Sequence, residues 1–292
     1  MHFTETVYRN PHWPTWPLLQ ITQGCTHNRC AFCTMYKDVG FKLMPIEWIE
    51  ADLREIATMT PDAKTIQLLS ANPLALSYEK LVRIFDLIHK YLPKMEHIYA
   101  GTRIDDMKNK TVEELKDLKA RGLTEIAFGT ESGDDWTLGR INKGYTSADI
   151  LEQCRKVEEA GIPYWVSFLN GVAGKEHSAD HAIHSAEIFN QLHPLDVGSA
   201  GLTLFPGTPL LEDAEAGKFS PLSEREMLEE ERLFAETLNV DCRFSAHHTV
   251  SINLNTPDFL RDKEKLLARI DYALEHGDLE RYAEIRRLKR NL

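Results

Sequence analysis

Cys25, Cys30 and Cys33 fall within nine residues of one another, in the stretch ITQGCTHNRCAFCTMYKDVGF from Ile21 to Phe41. The two remaining cysteines, Cys154 and Cys242, are isolated. A C-x4-C-x2-C run is too crowded for separate disulfides and too short to be one face of a helix. It suits a loop that wraps its thiolates around a metal centre, and three soft ligands point to an iron–sulfur cluster or to zinc. Three assignments fit the spacing. One is a [4Fe–4S] cluster on three cysteines with one iron left open. Another is a plant-type [2Fe–2S] centre, which needs a fourth cysteine, and the candidates lie 121 and 209 residues beyond Cys33. The third is zinc, with His27 as a fourth ligand. Spacing alone leaves all three open.

The elements that must position this loop alternate between short apolar runs and amphipathic stretches. Leu18–Thr22, Thr65–Leu69, His97–Ala100, Thr124–Phe128, Pro163–Leu169 and Val197–Leu204 read as buried strands. Between them Ile46–Met59, Tyr78–Tyr91, Val112–Arg121, Ser147–Ala160 and Ser178–Leu192 carry helical spacing. Such alternation implies right-handed crossovers and a parallel sheet. Six strands are fewer than the eight of a closed barrel. The expectation is therefore an α/β fold, a partial (β/α)6 TIM-like barrel with parallel strands, over residues 18–210. An extended N-terminal arm rich in proline and aromatics, residues 1–17, precedes it. Residues 211–292 read as a mostly helical C-terminal extension, with a long acidic helix at Ser223–Leu238. A possible extra strand there runs through Val250, Ile252 and Leu254.

Ligands of parallel α/β folds sit at the C-terminal ends of the strands. The cysteine loop follows the first strand, and the later strand ends, from Ser70–Pro73 to Phe205–Pro209, are rich in glycine, proline or small polar residues. They are expected to converge on the rim that carries the cysteines, which favours the cluster with an open iron. Cys154, inside a predicted outer helix, is badly placed as a fourth ligand.

The 292 residues carry a net charge of −11, with 42% apolar and 27% charged residues. That balance is ordinary for a soluble globular chain. It opposes coating of nucleic acid, which draws its affinity from basic patches. The one basic cluster, Arg286, Arg287, Lys289 and Arg290, reads as a solvated last helical turn. No window approaches the ~20 apolar residues of a membrane span. No secretory leader is visible, and isolated cysteines fit a reducing compartment, so a cytoplasmic location is expected.

Four motifs add a resemblance to these patterns. GCTHNRCAFC, LLSANPLAL, IAFGTESGDDWTLGRINKGYT and LTLFPGTPLLEDAEAGKF follow one another within residues 18–219. In that order they resemble the radical S-adenosylmethionine (radical SAM) enzymes, in the branch of methylthiotransferases, elongator-type tRNA modifiers and oxygen-independent coproporphyrinogen oxidases. The usual spacing there is C-x3-C-x2-C, and this chain has one extra residue in the first gap. The resemblance implies that Cys25, Cys30 and Cys33 ligate three irons of a [4Fe–4S] cluster, whose fourth iron chelates S-adenosyl-L-methionine. Phe32 is similar to the family aromatic beside the adenine. Ser70–Pro73 aligns with the turn that holds the methionine amine, with Asn72 where Glu or Thr is common. Glu131 resembles the residue that accepts the ribose hydroxyls. Lys143 matches a basic position that pairs with the methionine carboxylate, and Arg103 is a second candidate. Asn170, at the end of the fifth strand, is a candidate cofactor or substrate contact.

The function so implied is reductive cleavage of S-adenosylmethionine to a 5′-deoxyadenosyl radical that abstracts hydrogen from a small-molecule substrate. A flavodoxin or ferredoxin would supply electrons. A single cysteine cluster argues against two-centre chemistries. For the substrate step the candidates are His247, His248 and Cys242, each with an alternative as a structural group. Trp13 and Trp16 could cap the pocket or fill a groove. The competing class is a non-enzymic iron–sulfur electron carrier or sensor, which would need the cysteines and no site for S-adenosylmethionine. A tRNA-modifying enzyme is a further alternative, disfavoured by the acidic charge.

Overall fold

The first apolar run divides in two in the computed structural model, which describes residues 1–9, 14–246 and 252–288. Leu18–Gln20 forms a fully buried strand, β1. Thr22–Gln23 (β2) instead pairs antiparallel with Lys42–Leu43 (β3), as Thr22↔Leu43 and Gln23↔Lys42. This short ladder closes the base of the cysteine loop.

The later strands are β4 (Thr65–Leu69), β5 (His97–Thr102), β6 (Leu123–Glu131), β7 (Tyr164–Asn170), β8 (Asp196–Gly201) and β9 (Arg243–Ser245). With β1 they form a seven-stranded sheet in the order β1-β4-β5-β6-β7-β8-β9. Pairing is parallel between β1 and β4, β4 and β5, β5 and β6, β7 and β8, and β8 and β9. The helices are α1 (Ile46–Met59), α2 (Tyr78–Tyr91), α3 (Val112–Ala120), α4 (Asp135–Arg140) and α5 (Ser147–Glu159). They continue as α6 (Ser178–Phe189), α7 (Pro209–Glu215), α8 (Glu224–Thr237), α9 (Phe259–His276) and α10 (Leu279–Leu288). Among the described residues no helix is long and apolar enough to cross a membrane.

Helix positions follow from side-chain spacing. Helix α1 buries Ile49, Leu53 and Ile56, and α2 buries Leu81, Ile84, Phe85 and Ile88, the stripe of a 3.6-residue period. Helices α3 and α8 each open on a capping box, Thr111 with Glu114 and Ser223 with Glu226.

The chain divides into two compact units. One comprises Met1–Asn28, Met35–Gly129 and Glu152–Tyr164; the other comprises Arg29–Thr34, Thr130–Leu151 and Trp165–Leu292. The first holds the α1 and α2 stripes and the strands β1, β4 and β5. The second has a core of Leu169, Val172, Leu202, Leu210, Phe219 and Met227, with Phe32 packed against it. Beneath α8, Phe168 stacks on Phe234 with ring centroids 3.9 Å apart.

The α/β fold is as expected, with one strand displaced. The added tail strand is β9, which pairs with β8 through Asp196↔Arg243 and Val197↔Phe244. Ile252 and Leu254 lie in irregular chain, and Thr256 bridges back to Phe244. Val250, His247, His248 and Trp13 lie outside the described residues.

Candidate functional site

In the first unit the cysteine loop starts from a glycine that nothing else could replace. Gly24 has φ +69°, and a Cβ there would stand 2.6 Å from the Val39 carbonyl oxygen. Its own carbonyl accepts from Ser70 Oγ at 3.0 Å. Ser70 is itself in the left-handed region, at φ +90°, a conformation that a surrounding structure must enforce. Two residues on, the Thr26 N–H donates to Asn72 Oδ1 at 3.3 Å, and Asn72 Nδ2 donates to Thr26 Oγ1. The Asn28 N–H donates to Cys25 Sγ at 3.4 Å, helped by the left-handed φ of +50° at Asn28.

Asn72 rests on a carboxylate. Its Nδ2 donates to both oxygens of Asp106 at 3.1 Å. Asp106 also accepts from Thr102 Oγ1 at 2.7 Å and from the Arg103 N–H at 2.9 Å. Burial pushes its carboxyl above the ordinary range, against the pull of those hydrogen bonds. The Arg103 guanidinium is engaged by Asp105, Nε to Oδ1 at 2.9 Å and Nη2 to Oδ2 at 3.2 Å.

In the second unit, Ala31, between Cys30 and Phe32, is pinned on both sides. Its N–H donates to the Ile141 carbonyl at 2.9 Å, and its carbonyl accepts from the Leu210 N–H at 3.0 Å. Asn142 Nδ2 donates to the Arg29 carbonyl at 3.0 Å. Glu131 sits in the left-handed region at φ +65°. Its N–H donates to Ser167 Oγ, and Ser167 Oγ donates back to Glu131 Oε2, each at 3.1 Å. Lys143 Nζ donates to Glu131 Oε1 at 3.2 Å from a side chain only 5% exposed. The same ammonium lies 5.7 Å from the Phe32 ring centre and 5.8 Å from that of Tyr145, within cation–π range.

The structure thus brings Phe32, Glu131 and Lys143 together and adds Ser167, which lies outside the quoted motifs, and Tyr145, the tyrosine of the RINKGYT motif, which motif reading leaves without a role. The single serine in the run YWVSFL was the available signal for Ser167. Asn170 goes elsewhere. It shares its strand face with Phe168, and its Nδ2 donates to the Met227 carbonyl at 2.8 Å and to Glu231 Oε2 at 3.1 Å, so it anchors α8. Burial and the neighbouring Glu230 hold the Glu231 carboxyl up at about 7. Cys242 is buried just before β9, with its thiol pushed up to about 12 mainly by burial. Cys154 is fully buried, and burial raises its thiol well above the ordinary value. It is no candidate for a fourth metal ligand.

The donor set suits an iron–sulfur cluster. No cysteine is in a disulfide, and the Cys25 sulfur accepts a backbone N–H, as cluster thiolates do. Among the described residues no three His, Cys, Asp or Glu side chains gather round a single-ion position. In a cluster each cysteine binds its own iron, and the sulfurs need not converge on one point.

Known proteins resemble the chain as follows. The family model of the Radical SAM superfamily matches residues 19–189, more than half of the chain. The chain is 25% identical over 131 residues to the heme chaperone HemW of Bacillus subtilis (strain 168), a match covering 44% of this chain and 35% of that protein. It therefore spans about a third of the length of that curated relative. Among solved structures, methylornithine synthase (PylB) is similar with a TM-score of 0.53 at 16% identity, over 87% of this chain and 68% of that one. TsrM from Kitasatospora setae, a radical S-adenosylmethionine methyltransferase with cobalamin and a [4Fe-4S] cluster bound, has a TM-score of 0.58 at 19% identity. That match covers 89% of this chain and 51% of TsrM. At such identities the structures show the fold alone, and it is the same parallel α/β partial barrel. The family model takes in the cysteine loop, Glu131 and Lys143 alike: the chain belongs to the radical SAM superfamily.

Proposed function

We propose that Cys25, Cys30 and Cys33 hold the [4Fe–4S] cluster, which when bound supplies the electron for reductive cleavage of S-adenosylmethionine and so a 5′-deoxyadenosyl radical that takes hydrogen from a small molecule. The observation that carries this assignment is the set of Glu131, Lys143 and Ser167 beside Phe32, the residue before Cys33. Glu131 keeps its carboxylate in one orientation through Ser167 and offers acceptors for the two hydroxyls of a ribose. Lys143 is a fixed cation for a carboxylate, and Phe32 and Tyr145 shield it from water. Asn72, held by Asp106, fixes the backbone at Thr26 rather than leaving its amide free for an amine. Residues 18–210 would then carry the radical chemistry. The electron donor would be a flavodoxin or ferredoxin, and the net charge of −11 fits a small-molecule substrate better than a nucleic acid.

The test is anaerobic reconstitution with iron and sulfide, followed by an assay of 5′-deoxyadenosine with dithionite. The wild-type chain is expected to form it and Cys30→Ala is not. No product from wild type, or equal product from Cys30→Ala, overturns the assignment.

A further inference from the structure

The N-terminal arm reaches the cysteine loop. The Gly24 N–H, one peptide before Cys25, donates to Glu5 Oε2 at 2.8 Å. The Gly24 carbonyl accepts from Ser70 Oγ at 3.0 Å. Both backbone polar groups of this residue are therefore gripped by side chains remote in sequence, 19 and 46 residues away. Glycine is obligatory there, because a Cβ would strike Val39 and Gly40. A glycine is the least constrained of residues when its partners are removed, so its orientation depends on them.

The arm that delivers Glu5 is itself fastened. The Thr4 N–H donates to Gln20 Oε1 at 3.0 Å, and Gln20 Nε2 donates back to Thr4 Oγ1 at 3.0 Å. Thr4 Oγ1 donates to Gln23 Oε1 at 3.2 Å, while Gln23 Nε2 donates to the Gly40 carbonyl at 3.2 Å, across the ladder of β2 and β3. The His2 N–H donates to both oxygens of Asp52 on α1 at 3.0 Å, and its ring stacks on Trp48 at 4.9 Å. Thr4, Gln20 and Gln23 place Glu5 over Gly24.

We propose that Glu5 and Ser70 are positioning residues for the cluster: they clamp the two peptides that flank the Gly24 Cα and thereby preset Cys25 for its iron before the cluster assembles. This rests on the assignment of Cys25 as a cluster ligand. Glu5 supplies a charge-assisted hydrogen bond, which is about twice as strong as a neutral one. Its substitution should therefore act on the loop rather than on the fold.

The full-length apo chain is first followed by amide hydrogen exchange. Glu5→Ala is expected to speed exchange at Gly24 by about tenfold, the worth of one charge-assisted bond, with the melting temperature lowered by no more than about 4 °C. Equal exchange at Gly24 in wild type and Glu5→Ala overturns the clamp, whether or not a cluster forms. The chain is then reconstituted with ferrous iron and sulfide, and iron release to a chelator is timed. Glu5→Ala and Ser70→Ala should each release iron about tenfold faster than wild type, and Glu5→Gln, which keeps an acceptor oxygen, should stay within about threefold. Release at the wild-type rate from Glu5→Ala, or release from Glu5→Gln as fast as from Glu5→Ala, contradicts the proposal. Failure of the wild-type chain to take up a cluster would instead overturn the ligand assignment, and the exchange result would still decide the clamp.

Discussion

Asp106 and Glu231 are both carboxyls buried near strand ends, one in each compact unit, and their neighbours treat them differently. The Asp106 oxygens accept from Asn72, Thr102 and the Arg103 N–H. Glu231 Oε2 accepts from Asn170 and from Ser199 Oγ at 2.7 Å, whereas its Oε1 is buried with no partner among the described residues. Burial raises the proton affinity of both, and at Glu231 the adjacent Glu230 adds to it. Glu230 is itself held by His181 at 3.0 Å, on a side chain with no exposure. A buried acceptor with every donor in place fixes the geometry around it, which is what the turn beside the cysteine loop needs. A buried carboxyl half supplied with donors is poised to change charge near neutral pH.

The sharpest way to break this contrast is to remove Asp106. Asp106→Ala strands the donors of Asn72, Thr102 and Arg103 and should cost about 4 kcal/mol in urea unfolding. A loss near that of an average surface change would mean that the ring is ornamental. Next comes Glu231. Because its pKa is raised from 4.5 to about 7 in the folded chain, its contribution to stability is full below pH 4.5 and is lost as pH rises through 7. The loss approaches about 3 kcal/mol above that range. Glu231→Gln should abolish it, so that the variant overtakes wild type between pH 6 and 8 in unfolding midpoints, pH values on the order of that titration. Parallel pH profiles would erase the distinction between the two carboxyls. Ser167→Ala should be milder, freeing Glu131 at a cost of about 1 kcal/mol in S-adenosylmethionine affinity by calorimetry, with little change in folding. The exposed pair Lys64–Glu96, 2.7 Å apart with both side chains more than half exposed, is the control. Lys64→Ala should leave the melting temperature unmoved.

Legibility in the sequence followed the same divide between local and remote determinants. Helices α1 and α2 have the bounds read from their apolar spacing, Ile46–Met59 and Tyr78–Tyr91, because one face of each is continuous and nothing competes. Strand β9 was not legible. It has three residues, of which only Phe244 is a large apolar one, and it is a strand because β8 offers it an edge. The alternation through Val250, Ile252 and Leu254 looked stronger and has no such edge in the described part. In the candidate site, Phe32, Glu131 and Lys143 stood in recognisable motifs. Ser167, Asp106 and Glu5 acquire their roles from partners 36, 34 and 19 residues away, which no local pattern encodes. Asn170 illustrates the converse. Its place at a strand end suggested the ligand rim, but strand parity puts its side chain with Phe168 beneath α8.

The measurement closest to the central claim is the Mössbauer and electron paramagnetic resonance spectrum of the reconstituted, reduced chain, recorded before and after adding S-adenosylmethionine. A [4Fe–4S] signal in which one iron changes on addition is the predicted result, because three cysteines leave one iron for the added ligand. A cluster signal that S-adenosylmethionine does not alter would contradict it.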